Sequence, residues 1–419
     1  MKNRVYLCID LKSFYASVEA VERGLDPFKT NLVVADETRG PGGICLAITP
    51  AMKKLGVKNR CRLFEIPKGM EYIIAKPRMR YYMDYSAHIY SVYLKYISPD
   101  DIYVYSIDEC FFDVTSYLDL YGKTPKEMAK MLMRAVYVET GIASSAGVGT
   151  NLFLAKVALD ITAKKSPDAI GFLDEELFRK SVWHHTPITD IWNVGPGIAA
   201  RLEKHRIYDL YGVAHADENM LYKEFGVNAE YLIDHSKGYE PCTIEEIKAY
   251  TPETNSLSNS QILFENYDFE SALLALKEMV DIIVLEMVGR GMKTNSIALG
   301  VRYSGKEDGG VAGTRKLAGY TDSAEKLTAE FVRLFKEKVD PQKLVRKLSV
   351  GLNNLSEHQY VNMDFFTDYE AEEKERKKQQ AILQIKQKYG KNAVLKGMNL
   401  EKKATTPIRN RLIGGHNGE

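Results

Sequence analysis

The chain has 419 residues, 45% hydrophobic and 27% charged, with a formal net charge of +1. This is the composition of an ordinary globular protein with room for roughly two to four domains; it excludes a collagenous or largely disordered chain and shows no overall basic signature. No apolar run is long enough to span a bilayer, and the start MKNRVYLCIDLKSFY is interrupted by Asp10 and Lys12, unlike a signal peptide. The five cysteines form no C-x-x-C pair and read as reduced thiols, so a cytoplasmic protein without disulfides or a zinc ribbon is expected.

In chain order, RVYLCIDL (4–11) alternates like a half-buried strand. SFYASVEAVERG follows with helical spacing, placing Asp10 near a strand-to-helix junction. VVADETRGPGGICLAI reads as two short strands around a Pro/Gly turn, followed by the basic helix PAMKKLGVK. DIYVYSI and CFFDVT form a hairpin with Asp108 and Glu109 at its turn, between long amphipathic helices. ITDIWNVGPGIAARLEKHRIYDLYGVA predicts helix, Gly-Pro-Gly turn, helix. Such a unit aims the amides of Gly195 and Gly197 at a DNA phosphate, and the same stretch suits a plain helical hairpin.

YTPETNSLSNSQ (250–261) reads as a linker. After it come a helix, two strands, a helix and a closing strand, an α+β domain with helices on one sheet face. Between Glu286 and Leu352 there are 13 Lys/Arg against 8 Asp/Glu, and Arg302, Arg315, Lys316, Arg346 and Lys347 are expected on its open face as phosphate contacts; a solvated charged face is the plainer alternative. The rest is expected to be a charged helix, EAEEKERKKQQAILQIKQKYG, and a disordered end, TTPIRNRLIGGHNGE.

Three carboxylates, Asp10, Asp108 and Glu109, suffice as the core of a site for two divalent cations about 3.5–4 Å apart. Magnesium prefers oxygen ligands and retains waters and substrate phosphates, so these acids with a backbone carbonyl, that of Leu11, would complete a phosphoryl-transfer site; manganese is a possible substitute.

CIDLKSFYASVE, AITPAMKKLGVK, SIDECFFDVT, FLAKVALDITAKK and IWNVGPGIAARL, in this order, resemble the motifs of the Y-family DNA polymerases, nearest the bacterial UmuC-type branch of SOS mutagenesis. The resemblance covers about residues 4–355. It implies an α+β right-hand polymerase: palm in 1–30 and 76–180, fingers in 31–75, a helix-hairpin-helix thumb in 181–249 and a DNA-binding little finger in 250–355, before a tail over 356–419. It also implies that Asp10, Asp108 and Glu109 hold two magnesium ions and that Tyr15 gates against the 2′-hydroxyl of a ribonucleotide. Ser13 and Phe14 would cradle the triphosphate, and Lys53 with Lys164 or Lys165 would contact its phosphates. Pro50 and Lys53 stand where many relatives have a tyrosine and an arginine, and a lysine lacks the bidentate fork of arginine. Gly42, Gly43 and Ala47 would leave room above the templating base.

NMDFF (362–366) resembles the sliding-clamp peptide of bacterial polymerases, with Met363, Phe365 and Phe366 as anchors. The expected activity is error-prone translesion synthesis without proofreading, at the nucleoid, on primer-template DNA and dNTP, with SOS accessory proteins and a recombinase filament as further partners. The alternatives are a nucleotide cyclase, which the glycine turn and basic sheet disfavour, and a catalytically silent DNA-binding paralogue.

Overall fold

The computed structural model describes residues 4–252, 255–305, 309–357 and 368–418. The chain divides into two compact units: one runs to Thr251 and regains the chain end from His416, and the other runs from Pro252 to Gly415.

The first unit is built on a five-stranded sheet. β1 (Tyr6–Leu11) is followed by α1 (Phe14–Val21), and a small three-stranded sheet of β2 (Leu32–Val34), β3 (Ala47–Ile48) and β4 (Ile73–Ala75) encloses α2 (Pro50–Lys54) in the sequence. The chain returns through α3 (Met79–Tyr93), the expected hairpin of β5 (Ile102–Val104) and β6 (Glu109–Asp113), α4 (Thr115–Tyr121), α5 (Pro125–Thr140), β7 (Ser144–Gly149), α6 (Leu152–Val157) and β8 (Ile170–Leu173). The strand order is β5-β6-β1-β7-β8, so β1 is central and antiparallel to both neighbours.

Alternation on β1 sends Leu7 and Ile9 to one face and Cys8 and Asp10 to the other. On the Cys8 face, α6 sits almost on the sheet backbone: a Cβ on Gly147 would come 2.0 Å from the Ala155 oxygen, and one on Gly149 would come 2.2 Å from the Ala155 nitrogen. Only glycine permits that approach, which brings Lys156 down onto β6.

The helices α7 (Glu175–Ser181), α8 (Pro196–Lys204), α9 (Leu210–Ala214), α10 (Glu218–Phe225), α11 (Ala229–Ser236) and α12 (Ile244–Ala249) complete this unit. The expected helix ahead of the glycine turn is only a 3-10 turn, Ile188–Asp190, because it starts at Pro187 and the backbone is extended again at Ile191.

In the second unit, the expected linker is largely β9 (Ser256–Tyr267): its polar residues alternate with buried Leu257, Gln261 and Leu263, a half-buried strand whose outer face happens to be serine-rich. α13 (Phe269–Gly289), β10 (Met292–Tyr303), β11 (Gly310–Thr321), α14 (Ala324–Lys338) and β12 (Val345–Asn353) follow as anticipated, in a sheet ordered β11-β10-β12-β9, and a short unanticipated β13 (Ser356–Glu357) pairs with the start of β10. Its inner face packs Ile297, Leu299, Val301, Leu348 and Val350 against Leu276, Val280, Phe331 and Phe335 of the two helices.

The chain end is not disordered. After α15 (Tyr369–Tyr389), residues 396–409 return to α13 and close with α16 (Thr406–Arg409). Beside the ion pairs of Lys396 with Asp281 and of Lys403 with Glu265, the main anchor is Glu278, buried at 0% exposure within α13. Its carboxylate accepts from the Asn399 amide at 2.9 Å, from the Thr405 backbone at 2.6 Å and hydroxyl at 2.9 Å, and from the Thr406 backbone at 3.2 Å. A buried carboxylate without donors is costly, and the tail supplies them.

Candidate active site and nucleic-acid interface

Asp10 on β1 stands directly opposite Glu109 on β6, and the Leu11 amide donates to the Asp108 carbonyl at 2.9 Å. The hairpin turn therefore brings the three acids to one end of the sheet, where Ser106 Oγ donates to Asp108 Oδ1 at 2.8 Å. Burial pushes the Asp10 carboxyl up to about 7, and the neighbouring Asp108 and Glu109 add to the shift.

Glu109 is almost buried and has two partners that composition could not suggest. Lys156 Nζ lies 2.7 Å from its Oε1 and 3.1 Å from Asp160 Oδ1, while the Cys8 thiol donates to Glu109 Oε1 at 3.0 Å. The ion pairs raise Lys156 above its ordinary value despite the opposing effect of burial. The only advance signal was a lysine inside the apolar stretch FLAKVAL.

Among the described residues no three His, Cys, Asp or Glu side chains are gathered tightly enough to enclose an ion by themselves. The donor set nevertheless fits magnesium: it is all oxygen, Asp108 and Glu109 raise the proton affinity of Asp10, and such an ion fills the remainder of its shell with water and phosphate oxygens.

Ser13 lies in the left-handed region at φ 51° and caps α1, with its backbone oxygen accepting from Ser17 and its hydroxyl buried. Phe14 is buried against Tyr85 and belongs to the core, whereas Tyr15 is half-buried and stacks on Tyr82. Burial and Asp108 raise the Tyr15 phenol and Arg60 lowers it, so Arg60, which the sequence did not single out, is within electrostatic reach. Loss of water around the Lys53 ammonium lowers it; Asp10 and Asp108 oppose that and Lys164 reinforces it. Lys53 and Lys164 thus share the electrostatic neighbourhood of the acids.

Gly42 has open space where a Cβ would lie, but a Cβ on Gly43 would come 3.2 Å from the Gly40 oxygen, so the turn itself calls for that glycine. Gly195 is the N-cap of α8, at φ −83°, and added Cβ atoms at Gly195 and Gly197 would meet nothing within 4 Å. Neither glycine is demanded by backbone conformation or internal packing.

The basic residues of the second unit divide between faces. Arg302 pairs with Lys347, and Lys316 with Ser296, on the face away from α13 and α14. Arg346 is the extra residue of a bulge, since the register steps from Arg302–Lys347 to Tyr303–Val345. Arg315 does not join them. It pairs with core-facing Ile297 and turns to α14, where it is 3.1 Å from Glu330 and also pairs with Glu337. Two rows of the open face are small, with Ser258, Gly351, Ala298 and Thr314 in one and Ser260, Ser349, Gly300 and Ala312 in the next, and exposed Ile262 lies opposite Lys347. Met363, Phe365 and Phe366 lie outside the described residues.

Comparison with known proteins gives the same assignment for both units. Residues 9–160 match the impB/mucB/samB family and residues 254–365 match the impB/mucB/samB family C-terminal domain. The putative UV-damage repair protein UvrX of Bacillus subtilis (strain 168) is 31% identical over 98% of this chain and 97% of its own length, and DNA polymerase IV 2 of the same organism is 30% identical over 99% of both. A solved Y-family DNA polymerase chimera, Dbh-Dpo4(243-245)-Dbh, superposes with a TM-score of 0.62 at 22% identity, covering 84% of this chain and 100% of its own, and it shares the fold. With its strand-end acids, α+β polymerase fold and two matching domains, this chain belongs to the impB/mucB/samB family of Y-family DNA polymerases.

Proposed function

We propose that this Y-family DNA polymerase carries out translesion synthesis: template-directed attack of a primer 3′-hydroxyl on the α-phosphate of a dNTP, releasing pyrophosphate. The observation that carries the reading is the pairing of Asp10 with Glu109 across β1 and β6, with Asp108 at the adjoining turn. In this reading Asp10, Asp108, Glu109 and the Leu11 carbonyl hold two magnesium ions. When bound, the ions supply charge that favours the ionised primer hydroxyl and the departing pyrophosphate.

The chain's own groups do the remaining work. Ser13 and the start of α1 receive the triphosphate, Lys53 and Lys164 neutralise it, and the Tyr15 ring lies beneath the deoxyribose. Lys53 acts as a point charge where a guanidinium would clamp two oxygens, so phosphate orientation is set less tightly. Glycines at Gly195 and Gly197, which internal packing does not require, leave the start of α8 open to a DNA phosphate. Arg302, Lys316, Arg346 and Lys347 supply further phosphate contacts, while Arg315 is committed to α14.

The palm is assigned to 1–30 and 76–180, the fingers to 31–75, the thumb to 181–249 and the little finger to 250–355; the return of residues 396–409 to α13 adds the tail to the last of these. A role in DNA-damage tolerance is supported by the repair naming of UvrX, whereas clamp docking through Met363, Phe365 and Phe366 and SOS partners rest on the sequence resemblance alone. Metal-dependent binding of dNTP to the enzyme on primed DNA tests the reading against a silent paralogue: affinity that appears with magnesium and is lost in Asp10→Ala supports it, and no affinity in the wild type refutes it.

A further inference from the structure

Tyr15 and Glu19 are four residues apart on α1 and so share one face of that helix. Glu19 has a side-chain exposure of 0%. Arg78, at the start of α3, grips it with a two-pronged fork, Nε to Oε1 at 2.9 Å and Nη2 to Oε2 at 3.1 Å. Arg23 contacts the same Oε2, and the Tyr82 hydroxyl donates to Oε1 at 2.8 Å. The Tyr82 ring is itself fully buried and stacks on Tyr15, with centroids 4.6 Å apart and planes 19° from parallel.

Packing alone would be satisfied by an aliphatic side chain beneath Tyr15, yet the position holds a tyrosine whose oxygen is tied to a buried carboxylate, and the carboxylate is tied to two guanidinium groups. Desolvating such a carboxylate is unfavourable unless its partners are fixed in good geometry, so the cluster has few alternative arrangements. A steric filter has the same requirement. Rejecting a nucleotide for one additional oxygen depends on a wall that does not yield, and a small rotation of Tyr15 about its side-chain bonds would make the room. Tyr82 blocks that rotation from beneath, and Glu19 keeps Tyr82 from sliding.

We propose that Tyr82, Glu19 and Arg78 form a positioning anchor that immobilises the Tyr15 ring and so sets how strongly ribonucleotides are rejected. The inference rests on the reading of Tyr15 as the sugar gate. None of the three anchor residues needs to touch the nucleotide: they act through the ring, and their effect on catalysis is confined to sugar discrimination.

The test is single-nucleotide insertion opposite an undamaged template base, with each dNTP and its matching rNTP, for the wild type, Tyr15→Ala, Tyr82→Leu and Tyr82→Phe. Tyr15→Ala reports on the gate itself and should raise the rNTP/dNTP ratio of kcat/KM most. Tyr82→Leu should raise the ratio about tenfold, the upper end of what a stacked aromatic pair contributes, chiefly through a lower KM for the rNTP and with dNTP kcat within about twofold of wild type. Tyr82→Phe keeps the ring and its volume, removes only the link to Glu19, and should give an intermediate rise of about threefold. It also guards against a Leu variant that fails to fold. A relaxed ratio in Tyr15→Ala with wild-type ratios in both Tyr82 variants would overturn the anchor and leave the gate standing. An unchanged ratio in Tyr15→Ala would overturn the gate reading and the anchor with it.

Discussion

Lys156 Nζ lies 2.7 Å from Glu109 Oε1, and the two side chains are only 10% and 9% exposed. Removing Lys156 leaves the buried Glu109 charge with only the Cys8 thiol as donor, and breaking such a pair costs about 3–5 kcal/mol. Lys156→Met should therefore lower the urea midpoint of the unit carrying the acids, while Lys156→Met with Glu109→Gln should be less destabilised than the sum of the single changes, because the pair can be broken only once. Additive losses would mean that the two groups are not coupled.

The division of basic residues between the sheet faces gives a second prediction. Replacing Arg302 and Lys347 by alanine should reduce the slope of log affinity for DNA against log salt by about 0.9 for each phosphate left without its cation. Arg315→Ala should leave that slope alone and cost at most about 1 kcal/mol of stability, since its two ion pairs are partly exposed. A slope that responds to Arg315 and not to Arg302 would place the DNA on the other face.

The tail is anchored chiefly by one buried carboxylate. Glu278→Ala should expose residues 396–409 to rapid amide hydrogen exchange and lower stability by about 2–3 kcal/mol, through loss of hydrogen bonds to a charged group and the resulting unpaired donors. Thr405→Ala removes one of these bonds and should cost about 1 kcal/mol. Unchanged exchange in the tail of Glu278→Ala would show that its other contacts, among them the Lys396–Asp281 and Lys403–Glu265 ion pairs, hold it.

Glu19 makes stability depend on acid pH. Burial pushes its carboxyl up, but Arg78, Arg23 and Tyr82 outweigh that and leave it below its ordinary value of 4.5. A group with a depressed folded-state pKa stabilises above the unfolded value and loses that contribution as pH falls through the folded value. Melting curves for the wild type should therefore drop as pH falls below 4.5, and Glu19→Gln should show a shallower drop from a lower starting point. Parallel wild-type and Glu19→Gln profiles would contradict this.

Much of this arrangement was legible because it depends on local pattern. The alternation in RVYLCIDL fixed which residues of β1 share a face, and the hairpin around Asp108 and Glu109 followed from two apolar runs with a polar break. What escaped depends on contacts distant in sequence. Nothing near Lys156 announces that glycines in β7 let α6 settle onto the sheet, and nothing near Thr405 names Glu278 as its partner 127 residues away. Arg315 departs from the expected open face because basic character carries no strand parity: one position along β11 separates the open face, where Lys316 lies, from the helical face. The serine-rich start of β9 has the composition of a linker because its small outward residues mask the inward Leu257 and Leu263.

The most direct measurement is primer extension with magnesium on undamaged and abasic templates, comparing the wild type with Asp108→Ala. The proposed two-metal translesion polymerase predicts short, distributive extension that passes the abasic site and disappears in Asp108→Ala while DNA binding is retained. Extension that persists in Asp108→Ala, or none in the wild type with intact DNA binding and a sliding clamp present, would contradict the assignment of the chemistry to the acids at the end of β1 and β6.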